Sequence, residues 1–250
     1  ILAAACHKPK WDEREFCRFV YPDPFLTVFS LMKFSFLISI LFCSLVLYGR
    51  SDVEAINLSL LSLQSEETLL DTSVLDNTLD NYRGTISPLY KRYLSTTEEY
   101  QRIEAKFEKE GIPRFFALIP YSESKFNPSS RGYGTAGLWQ FSKQSARNFG
   151  LCVTKNNDER LDADRSTDAA IRYIKSLKQQ FGSWYLADFA YAMGEGTLRR
   201  LIQRNGSKKI SVLLKDPHFP SGTKAHFAKT LLLDAKIHYA KPAGNEKAAE

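Results

Sequence analysis

This sequence has no Gly-X-Y period, no heptad run, no cysteine framework and no alternating strand pattern of convincing length. A collagen, a long coiled coil and a disulfide scaffold are therefore excluded. Cysteine is sparse, at 4 in 250 residues, and Pro and Gly number 10 and 13. No His/Cys/Asp spacing suggests a metal, so neither metal nor cofactor is expected. What is present supports a packed core: 44% of residues are hydrophobic and 13% aromatic, which excludes wholesale disorder. The length fits one domain, at most two small ones. A net charge of +6 implies attraction to some polyanion without naming it.

Uncharged apolar sequence is concentrated in one place. Met32-Lys33 is followed by residues 34–48, FSFLISILFCSLVLY, and then by Arg50-Ser51-Asp52. One cation, a short apolar stretch and a polar flank fit a secretory signal. The run is short for a spanning helix, which needs about 20 apolar residues. An uncleaved anchor, with membrane association through this segment, is the alternative. Cleavage is placed after Val53-Glu54-Ala55, or else after Gly49. Cys43 lacks the small residues expected before a lipid-modified cysteine. Residues 1–31 are expected to be an extension upstream of a true start at Met32. Residues 1–55 carry equal numbers of acidic and basic side chains, so residues 56–250 hold the whole excess charge. Only Cys152 remains in that part, which rules out an internal disulfide there, and it is expected to be a buried or half-buried structural cysteine.

Residues 56–75 are Leu-rich with weak periodicity and read as a leader. Leu79, Tyr82, Ile86, Leu89, Tyr90 and Tyr93 recur at helical spacing, with a break near Gly84 and Pro88. Residues 113–126 form an apolar helix that Pro120 kinks or restarts. Residues 127–136 are loop by composition, and 137–149 begin at a glycine and turn helical. Ser166 is taken as the cap of a helix that Gly182 stops. Residues 184–193 are apolar all round, hence a buried helix. A basic helix spans 198–203, a loop 206–222, and a last helix 223–239. The tail, 241–250, is expected to be disordered. The class is all-α.

Three clusters could carry chemistry. Glu123, in Ser122-Glu123-Ser124, ends an apolar segment. A carboxyl beside apolar surface is disfavoured in its charged form and can serve as a general acid, although most helix-end glutamates are merely solvated. Gly137-Leu138-Trp139-Gln140-Phe141 could offer rings for sugar faces and an amide for hydroxyl groups, or could equally begin a core helix. Ala190-Tyr191-Ala192-Met193-Gly194 reads more readily as core.

Together these strings resemble a family. IPRFFALIPYSESKFNP, GTAGLWQFSKQSARNFGL, DERLDA and STDAAIRYIKSLKQQFGSWYLADFAYAMG, in this order and spacing, are similar to the lytic transglycosylases of lysozyme-like fold (transglycosylase SLT domain), nearest to the membrane-bound murein branch. The resemblance covers residues 76–240, which defines the expected domain. It implies cleavage of the β-1,4 bond between N-acetylmuramic acid and N-acetylglucosamine in peptidoglycan, leaving a 1,6-anhydro end. It implies one catalytic carboxyl, Glu123, acting as acid and then as base. Gln140 is implied to bond the glycan, Trp139 and Phe141 to shape the cleft, and Tyr191 to orient Glu123. Ser124 and Ser130 are further candidates for substrate binding. The protein would be a monomer in the periplasm or cell envelope, its basic charge holding it at the wall.

Three departures from the family pattern stand out. Ala192 replaces an Asn, which removes a sugar-contacting amide. The loop before Gly137 is about one residue short. His226 stands where a Tyr is usual in a Thr-x-x-Tyr stretch. These departures motivate an alternative reading, a weakened or inactive peptidoglycan-binding scaffold. Nucleic-acid binding through Arg199, Arg200, Arg204, Lys208 and Lys209 has no recognition motif behind it and is not expected.

Overall fold

A computed structural model describes residues 52–240. Expectations placed on residues 1–51 and on the tail, 241–250, lie outside the described residues. The described chain is helical apart from one small hairpin. Its helices are α1 (Asp52–Ser62), α2 (Ser73–Arg83), α3 (Ile86–Ser95), α4 (Thr97–Lys109) and α5 (Ile119–Glu123), followed by α6 (Lys143–Asn148), α7 (Ala163–Phe181), α8 (Trp184–Met193), α9 (Glu195–Asn205), α10 (Ile210–Leu213) and α11 (Ser221–Asp234). Strands β1 (Thr135–Ala136) and β2 (Phe141–Ser142) pair antiparallel, Ala136 opposite Phe141. No helix among the described residues is long and apolar enough to cross a membrane.

The core is organised around α11. It buries Phe227, Ala228, Leu231, Leu232 and Leu233 together with Thr223, His226, Thr230 and Asp234, so most of its surface is enclosed. Helix α8 packs beside it, with Phe189 edge-on to Phe227 at 5.0 Å. Helix α7 buries a face of Ala170, Ile171, Ile174, Leu177 and Phe181, the periodicity read from the sequence. Its cap is a correction. Asp162, not Ser166, accepts from the Arg165 N–H at 2.9 Å, and the helix starts a turn earlier. Ser166 is buried and bonds back to the Asp162 carbonyl. Gly182, at φ +97°, stops the helix as expected.

Residues read as a leader are part of this body. Ile56, Leu60 and Leu63 are buried, as is Ala55, read as the end of the signal, and Ser59 donates a hydrogen bond to Asp234 of α11. Burial pushes the Asp234 carboxyl up to about 7. The Tyr185 N–H reaches the Leu63 carbonyl at 3.2 Å, which ties this segment to α8. The helix breaks at Gly84-Thr85, as read, and again at Thr96. Pro120 stands in the first turn of α5, where its missing N–H costs nothing.

Cys152 is exposed, contrary to the buried position expected. Its neighbours Leu151 and Val153 are the buried pair, so Cys152 faces outward between them. It is therefore expected to react with a maleimide in the folded protein as fast as a small-molecule thiol, within about tenfold. Labelling only after addition of denaturant would contradict this exposure.

Candidate active site

Glu123 is the last residue of α5, at the end of a buried run, Phe115 to Ile119. Beyond it the chain turns sharply. Lys125 and Phe126 both take positive φ, +54° and +57°, which costs about 1–2 kcal/mol per residue for L side chains. The turn is held by the Phe126 N–H on the Pro120 carbonyl at 2.9 Å and by Phe126 stacked on Tyr121 at 4.5 Å. The Glu123 side chain is left 26% exposed, enough to meet a ligand.

Its partner comes from α11. His226 places Nδ1 2.7 Å from Glu123 Oε1, and its Nε2 lies 3.0 Å from Asp188 Oδ1 on α8. Asp188 is wholly buried. Ser122 Oγ is 3.0 Å from His226 Nδ1 and donates to the Ile119 carbonyl at 3.0 Å. Burial pulls the imidazole down, but Asp188 first and then Glu123 outweigh it and push His226 up to about 10.

The loop from 127 to 142 forms the neighbouring wall. Trp139 is buried, with Nε1–H on Thr167 Oγ1 at 3.0 Å and its ring stacked on Phe107 at 5.5 Å. Phe141 is buried as well. Both rings are turned inward and leave no face open to a sugar. Gln140, at φ +49°, donates through Nε2 to the Gly137 carbonyl at 2.8 Å and accepts from Thr135 Oγ1 at 2.8 Å. Its amide therefore holds the loop. Arg160, from the DERLDA string, grips Asp158 through two 2.8 Å bonds and donates to the Phe141 carbonyl at 3.0 Å. The grip holds the Asp158 carboxyl below the usual carboxylate range.

Tyr191 lies close enough to Glu123 that burial first and the carboxylate second push its phenol well up. Its hydroxyl donates to the Trp139 carbonyl at 2.5 Å, fixing the ring against the loop. Tyr173 stands 5.5 Å from it and adds a half-buried ring to this wall. Ser124 is buried, donating to the Pro120 carbonyl and accepting from the Asn127 N–H, so its hydroxyl caps the turn. Ser130 is half-buried in the loop, where its carbonyl accepts from the Gly137 N–H at 2.8 Å. Ala192, half-buried, occupies the end of α8. On the other flank of α5 a groove of about 770 Å³ is lined by Arg92, Lys125 and Lys229, among others.

The structure thus joins Glu123 to His226, a residue noted in the sequence only as a departure, and to Asp188, which was not singled out. One signal for Asp188 was available: it is the lone charge in the apolar string WYLADFAYAM.

Comparison with known proteins finds a family likeness. Residues 101–214 match the Transglycosylase SLT domain. The all-α, lysozyme-like class follows. Over 144 residues the chain is 33% identical to the membrane-bound lytic murein transglycosylase D of Escherichia coli (strain K12), covering 57% of this chain and 32% of that protein. Over 108 residues it is 36% identical to a putative tributyltin chloride resistance protein of Alteromonas sp. (strain M-1), covering 42% and 52%. Over 83 residues it is 35% identical to the peptidoglycan transglycosylase gp16 of Escherichia phage T7, covering 32% and 6%. The match thus spans about a third of the length of the first of these relatives.

Proposed function

We propose that this protein is an exported peptidoglycan lytic transglycosylase of the cell envelope, with Glu123 as its single catalytic carboxyl. One observation carries the reading: a partly exposed carboxyl, inside the matched segment, that shares a histidine with a sealed carboxyl, Asp188. Asp188 has no exposed surface, so it cannot hold a water or form a glycosyl bond on the far face of a sugar. A two-carboxylate hydrolysis that uses Asp188 is therefore unsupported. In the one-carboxylate route Glu123 protonates the leaving O4 as the C1–O4 bond breaks. It then takes the proton of the C6 hydroxyl as that oxygen bonds C1, giving the 1,6-anhydro end without water. Arg92, Lys125 and Lys229 beside α5 offer cations to the carboxylates of stem peptides. The test is a digest of purified peptidoglycan, in which anhydro-muramic ends are expected and reducing ends would refute the assignment.

A scaffold that binds without cutting is the second reading, drawn from Ala192 and from the commitment of the Gln140 amide to its own loop. Glycan binding with no released muropeptide would select it.

Export with cleavage after Gly49 is the processing favoured by α1. A cut after Ala55 would put a new charged terminus at buried Ile56 and sever a helix packed on α11. N-terminal sequencing of exported protein is expected to read Arg50-Ser51-Asp52. A sequence starting at Ile56 would overturn this choice of site.

A further inference from the structure

Glu123 has to give up a proton and take one back within a single turnover, so whatever touches its carboxyl controls the chemistry. The residue that touches it is His226, and the positions of hydrogens on the imidazole follow from its neighbours. Ser122 Oγ spends its own hydrogen on the Ile119 carbonyl, so it presents a lone pair to Nδ1. Glu123 Oε1 accepts at the same nitrogen, 2.7 Å away. A hydrogen on Nδ1 satisfies both. On the other side Nε2 meets a carboxylate oxygen of Asp188 at 3.0 Å, which requires a hydrogen there too. Thr230 Oγ1, one turn along α11, sits 3.3 Å from Ser122 Oγ and holds that hydroxyl in place. The groups that act electrostatically on the ring are Asp188 from α8 and Glu123 from α5, and Tyr191 of α8 faces both carboxyls.

We propose that Asp188 and His226 are positioning residues for Glu123: Asp188 keeps His226 doubly protonated, and its Nδ1–H fixes Oε1 and stabilises the carboxylate formed when the leaving oxygen is protonated. This rests on the lytic reading of Glu123. The pairing resolves a conflict. A bare buried cation beside a general acid would trap it in the ionised form, whereas an imidazolium already neutralised by Asp188 presents a directed hydrogen bond with little net charge. His226 keeps both hydrogens throughout. The proton given to O4 comes from Glu123 and is replaced from the C6 hydroxyl, so the cycle closes. Its raised affinity for protons, reaching about 10, agrees with this arrangement.

The test uses the whole protein. Nitrogen-15 imidazole spectra of wild type at pH 7 are expected to show His226 protonated at both nitrogens, unchanged through pH 8.5 or so, well past the ordinary His range near 6.5. In Asp188→Asn the ring is expected to titrate near neutral pH. That variant's kcat should fall about tenfold to a hundredfold, as for other buried partners that orient a functional group, with KM within about twofold. Its pH–kcat profile should gain a limb near 6.5, where the freed imidazole titrates. His226→Gln, which still offers Glu123 an N–H, should retain more activity than His226→Leu. A singly protonated ring in wild type, or superimposable pH profiles for wild type and Asp188→Asn, would overturn the proposal. The spectra need no turnover: a wild type that releases no anhydro ends sinks the lytic reading and leaves the state of His226 to be decided by them.

Discussion

Glu123→Gln is expected to lower the release of anhydro-muropeptides by a factor of about 10² to 10⁴, the range lost when a positioned general acid and base is removed. Gln matches the shape of Glu and can still accept at Oε1 from His226, so binding and folding should survive. What disappears, on the proposed mechanism, is the proton handed to O4 and recovered from the C6 hydroxyl. Asp188 offers no substitute, because it is fully buried and faces His226 Nε2 at 3.0 Å. The measurement is the initial rate of anhydro-end formation at matched protein concentration, with thermal unfolding as the control for fold. A variant cleaving at the wild-type rate would remove Glu123 from the mechanism.

Gly137→Ala is expected to destabilise the fold by about 3 kcal/mol or more, as backbone strain and a backbone clash act together. A Cβ built at Gly137 would lie 1.7 Å from the Arg160 carbonyl oxygen. That backbone cannot retreat easily, because the Arg160 side chain is anchored to Asp158 and to the Phe141 carbonyl. Gly137 also sits at φ +84°, a region L residues avoid. Gly134→Ala is the control: it shares a positive φ of +80°, yet its Cβ meets nothing within 4 Å. It should cost only about 1 kcal/mol. Thermal melts are expected to separate the two variants by several degrees, with Gly137→Ala on the order of 10 °C below wild type. Equal melting points would show that Arg160 does not close against residue 137.

The long helices were legible because their apolar positions recur at helical spacing: Ala170, Ile174, Leu177 and Phe181 of α7 are all buried. Helix α1 was not, because its buried face includes Ser59, whose partner Asp234 lies far along the chain. The hairpin was invisible for a different reason. Its strands are two residues each, and they are set by loop bonds such as Gly132 N–H to the Thr135 carbonyl, with no side-chain alternation to read. Glu123 stood out only through the resemblance, because its context alone favours a solvated glutamate, and the direction of Trp139 was not legible at all. An aromatic residue after a glycine-rich loop suits a cleft or a core, and the bond from Nε1 to Thr167 is what sends it inward. His226 was seen only as an unusual residue, since its meaning depends on Asp188, which approaches it from another helix.

The placement of His226 on α11 separates two units that are easily confused. The segment that matches the family model, residues 101–214, ends before α11 begins at Ser221. It therefore contains Glu123 and Asp188 but not the imidazole between them, nor Phe227 and Leu231, around which the core closes. The span that the family model delimits is thus smaller than the unit that closes one core. An expression fragment trimmed to the matched segment would expose the apolar faces that α1 and α11 cover, and it would leave Asp188 facing water.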